Sequence, residues 1–382
     1  MNEPGSPGRE RIAALFVELA AIPSPSLNER RVADRIIGFL EDLGLVVHED
    51  DTALAIGGDT GNLRCRVQGS GGFSVVTLGA HMDTVVPADD IEPVLRDGVF
   101  SNARDAILGA DNKTAVTAIL LATEAMVRSG EPHPTFDLVF TVAEELGVLG
   151  ARHLPRELLV SPMAAVFDSA GPVGGITVKA PSQQAIRAAF HGVAAHAGLE
   201  PERGRSAIVG AARAIAAMNL GRLDDETTAN VGMIQGGVAQ NIVPDSCVVR
   251  AECRSHDEAK LARVAAEMVD CLQRGAAEAG VDVDIDMVHE YRAFALGSRT
   301  AVVRLAKAAV TELGIQPRLV ASGGGSDANV FNDRGLPTVN FDCGMSHVHT
   351  ANEHVSLDSL ERLTQLVQAF VLLAPEYSRV VS

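Results

Sequence analysis

Three clusters of acidic and histidine side chains stand where buried, strand-like runs of the sequence end. His81 and Asp83 follow VVTLGA, Glu144 and Glu145 follow LVFTVA, and Asp168 follows AAVF. Because the carboxyl ends of parallel strands meet at one edge of an open α/β sheet, where ligands bind, we expect these side chains to converge. One polar residue at a strand end is ordinary, whereas three such strand ends together indicate a site.

Two further residues extend this set. Asp111 opens a helix-like stretch in LGADNKT, and His349 stands in SHVHTANEH after the strand-like TVNFD. Two imidazoles with several carboxylates form the ligand set that suits zinc or a comparable divalent cation. His347 lies two residues before His349 and is the alternative ligand that HVHT leaves open.

The spacing of these residues suggests different roles. His81 and Asp83 lie two residues apart on an extended segment, so they point to the same side, and Asp83 is placed to hold the ring N–H of His81. The adjacent Glu144 and Glu145 point in different directions, which suits one carboxylate on a metal and its neighbour as a general base. Each pair alone is weakly diagnostic, because an isolated acidic pair more often marks a solvated helix N-terminus.

The elements that must position these residues follow from the pattern of apolar residues. Short apolar runs alternate with long amphipathic stretches, which predicts an α/β fold whose central mixed, mostly parallel sheet is flanked by helices. Between residues 182 and 291 the predicted elements follow a βαββαβ order instead, which is typical of a smaller α+β domain. We therefore predict a catalytic domain over 1–181 and 292–382, split by an inserted domain over 182–291.

Composition excludes several classes of protein. The 382 residues include 32 Lys and Arg against 49 Asp and Glu, a net charge of -17 that argues against nucleic acid as a partner. Five scattered cysteines without a CxxC pair fit a reducing cytoplasm rather than a disulfide framework. The polar start MNEPGSPGRE lacks the form of a signal peptide, and no apolar run approaches the length that spans a bilayer. We expect a soluble, cytoplasmic protein without a membrane partner.

The order of the motifs resembles that of one enzyme family. HMDT, LGADNKTAV, AEELG, FDSAG and HTANE follow one another as in the dinuclear-zinc metallopeptidases, which include peptidase T, glutamate carboxypeptidases, carnosine-type dipeptidases and aminoacylases. The resemblance covers essentially the whole chain. The stretch DGVFSNARDAILGADNKTAVTAIL is most similar to the peptidase T branch of this family.

The resemblance implies a metal-binding role for five residues. His81 and Asp168 would bind one metal, and His349 and Glu145 would bind the other. Asp111 would bridge the two metals. The implied cofactors are two divalent ions, Zn²⁺ first, with Co²⁺ or Mn²⁺ as alternatives.

The resemblance also implies how hydrolysis proceeds. Glu144 would be the general base toward a metal-bridged hydroxide that attacks the amide carbonyl, and Asp83 would orient the histidine beside it. The peptide bond between Asp111 and Asn112 would be cis.

Substrate-binding residues are implied mainly in the inserted domain. His196 resembles a lid histidine that donates to the developing oxyanion on domain closure, Asn241 a substrate-binding amide, and Arg254 a guanidinium that grips a substrate carboxylate. Gly324 and Ser326 of GGGSDANVF would line the substrate pocket. Without the family context, Arg254 reads as a surface ion-pair partner and His196 as a capped turn histidine.

Together these features predict a metal-dependent exopeptidase that hydrolyses short peptides with a free carboxylate, as a tripeptide aminopeptidase. The alternatives on the same dinuclear site are an N-acyl amino acid amidohydrolase, a dipeptidase and a carboxypeptidase. The segments HTANE and GGGSDAN differ from the corresponding segments of peptidase T itself. These differences affect the substrate pocket and not the metal ligands, so whether the enzyme is specific for tripeptides stays open. The sequence also leaves open whether the inserted domain forms a homodimer or acts as a monomeric lid.

Overall fold

The computed structural model describes residues 8–70 and 73–378. The described chain divides into two compact units: the second comprises Ala180–Phe294 with Gly323–Gly325, and the first comprises the remainder. The prediction that the chain starts without a signal peptide concerns residues 1–7, which lie outside the described residues. That the range 182–291 acts as a lid or dimerisation domain also stays a prediction.

The described chain folds into many short strands and ten α-helices. The strands, in chain order, are β1 (Val47–Glu49), β2 (Leu63–Val67), β3 (Thr77–His81), β4 (Pro93–Arg96), β5 (Val99–Asn102), β6 (Phe136–Thr141), β7 (Ala164–Ser169), β8 (Gly175–Ala180), β9 (Ser182–His191), β10 (Ala195–His196), β11 (Gly221–Asp224), β12 (Thr227–Gly236), β13 (Ile242–Val243), β14 (Ser246–Ser255), β15 (Asp282–Tyr291), β16 (Phe294–Ala295), β17 (Arg318–Ala321), β18 (Thr338–Asp342), β19 (Met345–Ser346) and β20 (His354–Ser356). The helices are α1 (Arg9–Ala20), α2 (Arg30–Glu41), α3 (Thr52–Ile56), α4 (Ala110–Ser129), α5 (Leu149–His153), α6 (Ala207–Ala217), α7 (Glu258–Ala279), α8 (Ala301–Glu312), α9 (Asp327–Asp333) and α10 (Leu357–Ser378).

The first unit is built on a nine-stranded mixed sheet. Its strand order is β1-β2-β6-β3-β7-β18-β8-β16, with β17 beside β8. The central strands β6, β3, β7 and β18 run parallel, whereas β1 and β2 pair antiparallel with their neighbours. Strand β8 pairs antiparallel with β18 and parallel with β17. All residues of β3, β6 and β18 are buried, as expected for parallel strands covered on both faces.

Helices cover this sheet and close its core. Helix α4 packs against α1 and α10, and α10 also packs against α8. The rings of Phe167 and Phe341 stack with centroids 5.1 Å apart, and Phe370 of α10 meets Phe341 edge-on at 5.5 Å. The predicted α/β class, a mixed sheet flanked by helices, is confirmed.

A four-stranded antiparallel sheet of the first unit was not predicted. Its order is β19-β20-β5-β4, and its strands have two to four residues each. Strands this short show too few alternations of apolar and polar residues to stand out in a sequence. This sheet nevertheless fixes the C-terminal segment that carries His349.

The second unit is a five-stranded antiparallel sheet with two helices. Its strand order is β11-β12-β14-β9-β15, and α6 and α7 pack on each other and on the sheet. The six elements of the predicted βαββαβ order appear as β9, α6, β12, β14, α7 and β15. The short strands β10, β11 and β13 are additions that the sequence pattern did not predict.

Candidate metal centre

The central parallel strands bring the first group of predicted residues together. His81 ends β3, Asp168 lies near the end of the neighbouring β7, and Glu144 and Glu145 follow β6 on the other side of β3. These three strands run parallel, so their carboxyl ends share one edge of the sheet. The alternation of buried strands therefore accounts for the convergence of these side chains.

Two other segments add Asp111 and His349. Asp111 stands at the start of α4, where its backbone and that of Asn112 depart from helical geometry. The peptide bond between these two residues is cis, as the resemblance implied. His349 lies between β19 and β20. All of these residues belong to the first unit.

One carboxylate lies between two histidines. The Nε2 atom of His81 is 3.1 Å from Oδ1 of Asp111 and 3.0 Å from Oδ1 of Asp168. The Nε2 atom of His349 is 3.3 Å from Oδ2 of Asp111 and 3.0 Å from Oε1 of Glu145. Each oxygen of Asp111 therefore faces a separate set of one imidazole and one further carboxylate.

The structure separates the two candidate C-terminal histidines. His349 joins Asp111 and Glu145, with its side chain 48% exposed. His347 is exposed, and its ring packs on that of His354 at a centroid distance of 5.4 Å. This geometry favours His349 over His347 as the ligand.

Asp83 holds more of the site than its spacing from His81 suggested. The Nδ1 atom of His81 lies 3.1 Å from the backbone oxygen of Asp83 and 3.3 Å from its Oδ1. The same carboxylate accepts the backbone N–H of Glu144 at 2.9 Å, that of Glu145 at 3.2 Å and the hydroxyl of Ser26 at 2.7 Å. Asp83 thus links the imidazole to the turn that carries both glutamates.

Asparagine side chains fix the remaining carboxylate. The amide of Asn112 donates to the backbone oxygen of Phe167 at 2.7 Å and to Oδ1 of Asp168 at 3.2 Å. The backbone N–H of Asp168 donates to Oδ1 of Asn340 at 2.9 Å. Sequence reasoning missed both asparagines, although Asn112 follows the predicted bridging residue directly.

The loops of the site contain residues in the left-handed region. Ala143 has φ 47° and Val148 has φ 52°, on either side of the acidic pair, and His349 itself has φ 63°. For a residue with a Cβ atom this conformation costs roughly 1–2 kcal/mol. Such strain is retained where the surrounding structure requires one exact direction of a side chain.

Three buried carboxylates in and around the site resist ionisation, whereas hydrogen bonds from His349 and His81 outweigh burial and lower the pKa of Asp111. The pKa of Asp168 is raised to about 7, first by burial and also by the charges of Asp111 and Asp327. Burial and the charge of Asp168 raise the pKa of Glu144 well above its usual range. Burial also raises the pKa of Asp327 to about 6. A cation bound beside these groups would favour their ionised forms and lower their pKa values.

The pKa values of both histidines are also raised, which in a histidine favours the charged form. Hydrogen bonds to Asp111 and Glu145 raise the pKa of His349 to about 10. Burial opposes the charge of His81, yet Asp168 and the neighbouring hydrogen bonds raise its pKa well above the usual value. Both imidazoles thus lie directly against carboxylate oxygens. The donor set, its shared carboxylate and its excess of negative charge fit two divalent cations.

Two buried ionisable residues, Lys113 and Glu29, were not predicted. Lys113 is 1% exposed, and its Nζ donates to the hydroxyl of Ser24 at 2.5 Å. Burial lowers the pKa of Lys113 to about 8, opposed by the charges of Asp83, Glu353 and Glu29. Glu29 is fully buried, accepts the backbone N–H of Ala143, and has a pKa raised by burial to about 7.

The second unit holds four of the five predicted substrate-binding residues: His196, Asn241, Arg254 and Gly324. His196 of β10 pairs with Ile242 of β13, and the backbone oxygen of Asn241 accepts the N–H of Ala197 at 3.0 Å. The Nδ1 atom of His196 accepts the backbone N–H groups of Gly198 and Leu199, each at 3.1 Å. Two donors on Nδ1 place the ring proton on Nε2, which is then free to donate.

Arg254 is held by a carboxylate of its own strand. Its Nε and Nη2 atoms donate to the two oxygens of Glu252 at 3.0 and 2.9 Å. Gln183 donates to the same carboxylate at 2.8 Å. Gly324 lies beside the Nη1 edge, since a Cβ atom there would stand 3.6 Å from Nη1. The role of Arg254 and Gly324 in substrate binding stays a prediction.

Ser326 belongs to the first unit and is 3% exposed. Its hydroxyl accepts the backbone N–H of Ala328 at 3.3 Å and the amide of Asn340 at 3.2 Å, so it caps α9. This capping accounts for the serine structurally. Its predicted contact with substrate stays untested.

Comparison with known proteins identifies the family. Residues 77–373 match the model of peptidase family M20/M25/M40. The chain belongs to this family of peptidases. It is therefore a peptidase, and the predicted class of enzyme is confirmed.

Individual relatives within the M20 family agree with the predicted branch. The crystal structure of aminopeptidase PepT from Bacillus cereus is 38% identical, with a TM-score of 0.81 over 96% of this chain and 99% of that one. A tripeptidase structure from Staphylococcus aureus is 34% identical, with a TM-score of 0.87 over 97% and 99%. The uncharacterised protein YqjE of Bacillus subtilis is 37% identical over 95% of this chain and 98% of its own length. The predicted resemblance to peptidase T is confirmed.

Removal of divalent metal should destabilise this M20 peptidase. Because the carboxylates of the site repel one another, we expect chelator treatment to lower the thermal midpoint and added Zn²⁺ to restore it. At a free metal concentration about 1,000 times the dissociation constant, binding stabilises a fold by about 4 kcal/mol. Differential scanning calorimetry measures the shift.

Two histidine variants make this measurement specific. His349→Ala should lose most of the metal-dependent shift, because it removes the imidazole facing Asp111 and Glu145. His347→Ala, two residues away, should keep it. Equal shifts in the two variants would contradict the assignment of His349.

Proposed function

We propose that the protein is a cytoplasmic, dinuclear metal-dependent aminopeptidase that acts on tripeptides with a free carboxylate. The observation that carries the proposal is the Asp111 carboxylate, whose two oxygens face His81 and His349 separately. In this proposal Asp168 completes the first metal site and Glu145 the second. Zn²⁺ suits these nitrogen and oxygen donors, with Co²⁺ or Mn²⁺ as alternatives.

Two related structures support the proposed substrate. The structures that are 38% and 34% identical to this chain belong to an aminopeptidase and to a tripeptidase, respectively. Both comparisons cover nearly the whole of each chain. Five free, buried cysteines support the proposed cytoplasmic location, since a reducing compartment leaves thiols unpaired.

The two cations would supply Lewis-acid chemistry, polarising the scissile carbonyl and making water a stronger acid. Glu144 is the residue proposed to move the proton. It lies among Asp168, His81 and Glu145, and burial raises its pKa well above the usual value. Its carboxylate would take a proton from the attacking water and return it to the leaving amine.

His196 is proposed to stabilise negative charge on the substrate oxygen. Two backbone N–H groups occupy its Nδ1 atom, so its Nε2–H is a donor whose ring orientation is already set. A donor fixed in advance stabilises an oxyanion without reorganisation at the moment of reaction. Asn241, next to the paired strand β13, is proposed to add a substrate-binding amide.

Arg254 is proposed to bind the free carboxylate of the substrate. Glu252 occupies the Nε and Nη2 donors, which leaves the Nη1 edge, next to Gly324, for a ligand. A planar guanidinium with one edge fixed presents its remaining donors in a single direction.

Product identification on a substrate panel tests the proposed function. We expect free tripeptides to release their N-terminal residue, and N-acetyl amino acids, dipeptides and N-acetylated tripeptides to be poor substrates. Mass spectrometry of the products distinguishes these cases. Preferential release of acetate, or release of the C-terminal residue first, would instead support the amidohydrolase or carboxypeptidase alternatives.

The role of Glu144 is tested by Glu144→Gln. Loss of the proton acceptor should lower kcat by about 10²- to 10⁴-fold, while metal content by elemental analysis stays near that of the wild type. Glu312→Gln on α8 is the matched control and should keep full activity. Parallel loss of metal and activity in Glu144→Gln would show that Glu144 is a ligand instead.

The role of Arg254 is tested by amidating the C-terminus of a tripeptide substrate. The loss of a charged partner should cost the wild type roughly 10- to 100-fold in kcat/KM, because hydrogen bonds to charged groups contribute about 1.5–3 kcal/mol. Arg254→Ala should lose little further activity on amidation. Arg250→Ala, an exposed residue on the same strand, should behave as the wild type does. An equal penalty in Arg254→Ala and the wild type would exclude this role.

A further inference from the structure

Glu353 is a buried carboxylate that binds the backbone of the loop carrying Asp111. It is 1% exposed. Its Oε2 atom accepts the N–H groups of Leu108 at 2.9 Å and Gly109 at 2.7 Å, and its Oε1 atom accepts the N–H of Asp111 at 2.8 Å. Hydrogen bonds to an ionised acceptor are about twice as strong as neutral ones.

These three N–H groups stand at the start of α4, where a helix has donors without intrahelical partners. The N-cap residue is Gly109, which has φ 73° and no side chain to accept them. Asp111 and Asn112 also depart from helical geometry, so the first turn of α4 is not held in the usual way. A carboxylate distant in sequence therefore supplies the cap, in a position that the helix dipole also favours.

Glu353 is itself anchored by sheet structure. It directly precedes β20, in which buried Val355 pairs with Phe100 of β5 and Met345 of β19. His349 lies four residues earlier in the same segment. One anchored segment thus supplies both the imidazole facing Oδ2 of Asp111 and the carboxylate that holds the backbone of Asp111.

We propose that Glu353 is a positioning residue that sets the place of the Asp111 carboxylate between His81 and His349. This inference rests on the proposed dinuclear site. Because the two oxygens of Asp111 serve separate donor sets, a shift of its backbone alters the distances to both histidines at once. Glu353 therefore acts on both metal positions through the backbone N–H of Asp111.

Titration of the metal-free protein with Co²⁺ tests the proposal. Binding is monitored by the visible absorption of Co²⁺, which reports the geometry of the metal ligands. Glu353→Gln keeps the shape of the side chain but removes its charge and turns one acceptor into a donor. We expect roughly 10- to 100-fold weaker Co²⁺ binding, as for other residues that orient metal ligands, with an altered spectrum. The kcat for peptide hydrolysis should fall more than KM rises.

Asp257→Asn is the matched control, because Asp257 caps the long helix α7 of the second unit through the N–H groups of Ala259 and Lys260. It should lower the thermal midpoint and leave Co²⁺ binding and the spectrum unchanged. If Glu353→Gln does not fold, Glu353→Asp keeps the charge on a shorter side chain and should show the same changes to a smaller degree.

The outcomes separate this inference from the proposed function. A folded Glu353 variant with wild-type Co²⁺ affinity and spectrum would overturn the positioning role, even if its thermal midpoint fell. Failure of the wild type to bind two Co²⁺ ions would instead overturn the dinuclear site itself.

Discussion

The arrangement of the site depends on one carboxylate shared between two imidazoles. Asp111 lies 3.1 Å from His81 through one oxygen and 3.3 Å from His349 through the other. The three residues come from the start of a helix, the end of a central strand and a loop near the C-terminus, so the whole of the first unit must fold before the carboxylate is shared. The parallel sheet fixes one partner, and the small four-stranded sheet fixes the other.

Burial of this many carboxylates opposes folding, because removing an ionised group from water costs free energy. The structure offsets part of this cost with backbone N–H donors: Asp83 accepts two of them and Glu353 accepts three. Buried Lys113 adds a positive charge near both of these acids. Asp168, whose pKa is raised to about 7, faces His81, and Asp111 faces both histidines. The excess negative charge is thus concentrated where cations would bind.

The sequence predicts the donors of this site better than it predicts what holds them. His81 and Asp168 end strands whose continuous apolar character is visible in the sequence, and family motifs add Asp111 and His349. The sequence does not show that Glu353 supports Asp111, because Glu353 binds backbone N–H groups about 240 residues away. Every residue except proline has such a group, so no residue type marks the contact. The short strands on either side of His349 escape detection for a similar reason, since pairing rather than pattern defines them.

The adjacent glutamates show how a backbone distinguishes two identical side chains. Asp83 accepts the backbone N–H of both Glu144 and Glu145. These two hydrogen bonds fix the backbone of the turn that carries the glutamates. Only Glu145 reaches His349, at 3.0 Å, which gives it a partner of opposite charge. Burial, together with the charge of Asp168, raises the pKa of Glu144 well above its usual value. The direction of the turn thus gives two adjacent residues of the same type different surroundings, which is the basis of the different roles proposed for them.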